Sequence, residues 1–151
     1  INSHIILPGC PSGHLMGKWL KAERPDTLTD PETGESRGVI LGRFKGIWIG
    51  ERGAAAGYVR GFYGLSSAGE RKFFGKYINM SGEFMGLIAG RWGFDPADAP
   101  AEATVERGWF EGAWYGRRRV ALGRLKGEWL TAEPGRGYFK GLWAMNCAEA
   151  R

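Results

Sequence analysis

Soft metal ligands are scarce in this 151-residue chain. With only His4 and His14 beside Cys10 and Cys147, no Cys/His zinc module can be built. No run approaches the ~18 uncharged apolar residues of a membrane-spanning helix. Proline is ordinary at seven, and no Gly-X-Y triplet repeats, which excludes collagen. There is no glycine-rich phosphate loop ending in Lys-Ser or Lys-Thr, and Gly64-Leu-Ser-Ser-Ala-Gly69 has the wrong spacing for a nucleophile elbow. Charge of one sign is also thin: 21 Lys+Arg against 16 Asp+Glu leaves +5, spread along the chain rather than blocked.

What is abundant is glycine, 26 residues against a usual share of ~7%, together with seven Trp, eight Phe and five Tyr. That many rings exclude a disordered glycine-rich linker. One phrase recurs: Gly, any, apolar, any, Gly, any, aromatic. Its second glycine falls at positions 17, 46, 61, 75, 90, 112, 127 and 141, mostly 14 or 15 residues apart. The copy around Gly75 departs from it, with Arg71 where the first glycine stands elsewhere. The two longer steps hold acid- and proline-rich stretches, residues 21–37 and 94–107, which read as inserted loops.

Glycine every fourth residue costs a helix roughly 1 kcal/mol per interior copy. In a strand the same spacing is period two taken twice, which puts Gly, apolar, Gly and aromatic on one face. The expected fold is all-β: an antiparallel meander of about eight strands, left as a curved single sheet or curled into an up-and-down barrel. A one-strand-per-coil solenoid also fits the period. Rings of one strand are expected to lie over the glycines of the next, so Val at Gly61 or Gly112 should expel a ring. The organisation reads as an extended segment 1–12, one domain 13–147 and a tail 148–151.

The phrase, as in Tyr138-Phe139-Lys140-Gly141-Leu142-Trp143, resembles the membrane-occupation-and-recognition-nexus (MORN) repeat. The resemblance implies a string of β-hairpins serving as an interaction, scaffolding or lipid-associated module, and no functional residue is carried over.

Candidate chemistry is sparse. His4 lies in a tail-like segment and His14 on the mixed face of the first strand, so each reads as an ordinary surface histidine. The insertions hold Asp26, Asp30, Glu32 and Glu35, then Asp95, Asp98, Glu102 and Glu106, without the regular spacing of a calcium loop. No metal, cofactor or catalytic residue is expected, and the chain is read as a non-enzyme. Arg117, Arg118 and Arg119 read as a solvated hairpin tip, and nucleic acid is not an expected partner. An outer-membrane barrel would turn the bare Gly/aromatic face to lipid, which disfavours it.

Cys10 and Cys147 flank the repeats. They either bridge the ends of one chain, bridge neighbouring chains, or remain free thiols. A bridge implies a secreted or cell-surface location, and the start at Ile1 reads as a processed product or fragment. By the alternation rule Tyr58, Phe62, Phe74, Trp109, Tyr138 and Leu142 share the mixed face, and Ile5, Ile6 and Leu7 form an apolar tail able to add to another sheet. The leading expectation is a self-assembling structural protein, a filament or layer subunit joined through that tail, its sheet edges and its aromatic face. The alternative is a binding module for a glycan, a lipid surface or a partner protein.

Overall fold

The computed structural model describes residues 10–95 and 106–147. It holds eight strands: β1 (Ser12–Thr29), β2 (Ser36–Ile49), β3 (Ala55–Ser66), β4 (Arg71–Asn79), β5 (Phe84–Phe94), β6 (Arg107–Tyr115), β7 (Ala121–Glu133) and β8 (Arg136–Met145). Each pairs antiparallel with the next, and β8 pairs back onto β1, closing a barrel. The meander is as expected, and of the shapes left open the closed barrel is realised. Closure narrows one expected route to assembly, because around the barrel every strand pairs on both sides, and among the described residues the β1 extension Asp26–Thr29 pairs with β2 alone.

The repeated phrase explains the interior. Its Gly/apolar/Gly/aromatic face points at the axis, and inward side chains stack in layers of four taken from alternate strands, a known habit of eight-stranded barrels. Even strands supply a first ring layer (Trp48, Tyr77, Trp114, Trp143), and odd strands an aliphatic layer (Leu15, Val59, Ile88, Leu125). A phenylalanine layer follows (Phe44, Phe73, Phe110, Phe139), and odd strands finish with a second ring layer (Trp19, Tyr63, Trp92, Trp129). In all three aromatic layers the four rings close a cycle of edge-to-face contacts, with centroids 5.7–6.2 Å apart. Such pairs contribute about 0.5–1.5 kcal/mol each beyond their burial.

Glycine makes this stacking possible. A Cβ on Gly61 would sit 2.7 Å from Phe44 Cζ, and one on Gly90 2.8 Å from Phe73 Cε2, so each phenyl ring occupies its neighbour's missing side chain. Gly112 differs from expectation: its added Cβ would meet the β5 backbone at Ala89 and Gly90, not a ring. The reason is strand parity: the phenyl rings come from even strands and lie over the central glycines of the odd ones (17, 61, 90 and 127), whereas Gly112 stands on β6.

The first insertion is not all loop. β1 runs on to Thr29 and pairs with β2 beyond an irregularity between Lys21 and Asp26. Ten residues of the second insertion, 96–105, lie outside the described residues, as do Ile5, Ile6 and Leu7.

Candidate functional site

The two ends of the barrel are built differently. At one lie the tight turns 50–54, 79–83 and 116–120. Cys10 and Cys147 meet there in one disulfide with Cα atoms 5.8 Å apart, so the bridge is internal to the chain. The first ring layer seals this end. Trp48 Nε1 donates to the Ile78 carbonyl (3.1 Å), the Tyr77 hydroxyl to Tyr115 (3.0 Å), Trp114 Nε1 to Ala144 (3.3 Å) and Trp143 Nε1 to Ile49 (2.9 Å). Every ring crosses the glycine of the next strand and reaches the strand beyond, until the cycle returns to β2.

At the other end the second ring layer completes only half of that pattern. Trp19 Nε1 reaches Leu130 and Trp129 Nε1 reaches Gly93, both at 3.1 Å. The Tyr63 hydroxyl, however, has no hydrogen-bond partner among the described residues. On β4, Arg71 occupies the glycine position, and Trp92 Nε1 stops at Lys72 O of that adjacent strand (3.2 Å). The Arg71 guanidinium instead lies 5.7 and 5.0 Å from the Trp92 and Phe94 ring centres. A cavity of about 620 Å³ opens here, lined by the aliphatic, phenylalanine and second ring layers, with Lys21, Glu106, Thr131 and Glu133 at its lip. Burial pushes the Tyr63 hydroxyl up to about 12 and raises Tyr77 as well, so both stay protonated at neutral pH.

The outer surface divides into two walls. Across β1–β4 the register brings Lys18 beside Lys45, Lys45 beside Arg60 and Arg60 beside Lys76. All four are exposed, and among the described residues none has an ion-pair partner. Directly opposed like charges cost a sheet roughly 0.2–1 kcal/mol per pair. Arg43 adds a fifth cation one row away, beside Phe62, which stacks on Phe74 at 5.8 Å. Tyr58, Phe62 and Phe74 are between 42% and 48% exposed on this wall.

The wall of β5–β8 alternates in sign. Arg91 Nε donates to Glu111 Oε2 at 2.8 Å, Glu111 faces Lys126, and Glu128 faces Lys140.

The expected aromatic face is therefore only partly one surface. Phe62 and Phe74 come together, Tyr58 stands on β3 beyond Arg60, and Tyr138 stands on β8 beside Lys18. Trp109 stands on β6, under the Arg91 guanidinium at 5.6 Å. The physical reason is curvature: alternation along a strand decides in or out, and closure then spreads the outward residues around a cylinder.

Charge that is spread along the sequence is gathered on one wall, since tertiary register lines up cations that sequence keeps 15–27 positions apart. A signal for it exists, because each of the four adjoins a central glycine (17, 46, 61, 75) and those glycines align within hairpins. Arg117 is not a free tip residue either, because its Nε donates to Phe84 O at 3.0 Å.

Nor is the Asp30 carboxylate poised for an ion. It accepts from the Glu32 amide at 2.9 Å and pairs with Arg37 at 3.4 Å. The described residues contain no helix long and apolar enough to cross a membrane. The outward charges at mid-height on both walls do not match a lipid-facing band of strands.

Fold and site together define an eight-stranded antiparallel barrel, stapled at one end, hollow at the other and basic along one side. No protein-family model matches the chain, and neither does any curated protein or solved structure.

Proposed function

We propose that this protein is a non-catalytic binding module whose β1–β4 wall docks an acidic polysaccharide. The observation that carries this reading is the uncompensated row Lys18–Lys45–Arg60–Lys76. Opposed like charges disfavour the sheet, no acid among the described residues pairs with them, and the row matches a polymer with regularly spaced negative charges. The exposed Phe62–Phe74 pair beside the row offers ring faces on which the C–H faces of sugar rings can stack. The disulfide supports an oxidising compartment, where acidic polysaccharide is met more readily than nucleic acid. The same row repels a second copy of itself, which weighs against assembly through this face.

Binding of polygalacturonate, a single-stranded oligothymidylate and anionic vesicles, each followed by tryptophan fluorescence at low and at physiological salt, tests the reading. The polyuronate is expected to bind with salt-sensitive affinity, and Lys45→Glu with Arg60→Glu to weaken it at least tenfold. Absence of polyuronate binding at low salt, or an unchanged affinity in the double variant, overturns it. Preference for the oligonucleotide or the vesicle replaces the ligand class.

A further inference from the structure

The open-end cavity lies inside the barrel, away from the basic wall, and has its own chemistry. Its volume of about 620 Å³ falls in the range of sites that enclose one drug-sized molecule, roughly 300–1,000 Å³. Aliphatic and aromatic side chains make up its depth, and charged groups appear only at the lip.

Two polar atoms there are unpartnered. Among the described residues Thr131 Oγ1 is buried with no hydrogen-bond partner, and the Tyr63 hydroxyl, which is not fully buried, has none either. A fully buried hydroxyl such as that of Thr131 is ordinarily paired, and leaving it alone costs about 1–3 kcal/mol. At the disulfide end the same phrase pairs every ring donor, so the defect belongs to this end and not to the fold.

We propose that the open end binds a single uncharged, mainly apolar, ring-bearing small molecule whose hydroxyl or carbonyl groups pair with Thr131 and Tyr63. An ion is disfavoured because nothing in the depth of the cavity would replace its water. A flat ring system is favoured because the second ring layer presents ring faces and edges at close to right angles to one another. Tyr63 keeps its proton at neutral pH and so remains a donor. The Arg71 guanidinium, held over Trp92 and Phe94, keeps Trp92 from crossing β4 and thereby holds the mouth open. This site does not depend on the polysaccharide reading.

The test uses the full chain and the uncharged fluorophore N-phenyl-1-naphthylamine. Expected is saturable, blue-shifted emission with one probe bound per chain and a rise in Tm with probe concentration. Leu41 also lines the cavity; Thr131→Trp and Leu41→Trp each plug it, and each should weaken the probe at least tenfold. Two plugs at different strands keep the test alive if one fails to fold. Lys45→Glu should leave probe affinity unchanged, so failure here and failure of the polysaccharide reading are told apart. No emission change up to the solubility limit, binding of several probes without saturation, or wild-type affinity in a folded plug variant overturns the proposal.

Discussion

At the disulfide end four rings each cross one glycine and donate to a carbonyl two strands away. At the open end two of four do so, a third has a lone hydroxyl and the fourth meets an arginine. Both ends grow from the same repeated phrase. The difference teaches that a ring cycle seals a barrel only where every ring crosses bare backbone and its donor reaches a carbonyl beyond it. Two departures, Tyr63 without a partner and Arg71 for glycine, accompany a hollow of ligand size at one end of an otherwise regular molecule. Sites where local consistency fails are where function is sought first.

The largest expected effect tests the sealed end. Removing the bridge with Cys10→Ser and Cys147→Ser frees a loop whose ends are 137 residues apart, which costs ~4–5 kcal/mol in the chain-entropy account. Calorimetry should show a large drop in Tm, and probe binding at the open end should survive below it. Next, Gly57→Val forces a side chain against the Trp48 indole, with Nε1 2.5 Å from an added Cβ, and against the β4 backbone. A loss of ~1–3 kcal/mol or more is expected in denaturant titration, with Trp48 displaced.

The sharpest form of the comparison applies one substitution to both ends. Tyr77→Phe deletes the donor to Tyr115 O and should cost ~1 kcal/mol, whereas Tyr63→Phe deletes a hydroxyl with no partner and should cost ~0. Equal losses would erase the distinction drawn between the ends. The smallest effect is alkaline. Both tyrosines have folded-state values raised by burial above the ~10 of a free tyrosine. The folded chain therefore holds their protons longer. Stability from this source is intact below pH ~10 and is lost as pH rises through about 12. Unfolding followed between pH 9 and 12 should show that decline, reduced in each Tyr→Phe variant.

Much of the fold was readable beforehand, and for a definable reason. Side-chain period is a local property, so Gly13, Leu15, Gly17 and Trp19 could be assigned to one face without knowing what faced them. Gly82, in the 79–83 turn, has φ +88°, a conformation that favours glycine. The candidate sites were less readable. Phe62 and Phe74 adjoin, but Tyr58 lies beyond Arg60 on β3, and Trp109, with the same local signature, stands on β6. Lys18, Lys45, Arg60 and Lys76 are each one cation among many in the sequence until hairpin register sets them side by side.

From residues alone came the strands, their inward face and the dependence of ring packing on bare backbone, because these follow from spacing within one segment. Closure of the barrel, the pairing of Cys10 with Cys147, the hollow behind Tyr63 and Trp92, and the basic wall were decided only in three dimensions. Each of those depends on which strand lies beside which and at what offset. That offset is set by turn lengths and by the fit of every ring against its neighbour, a condition that no single stretch of chain contains.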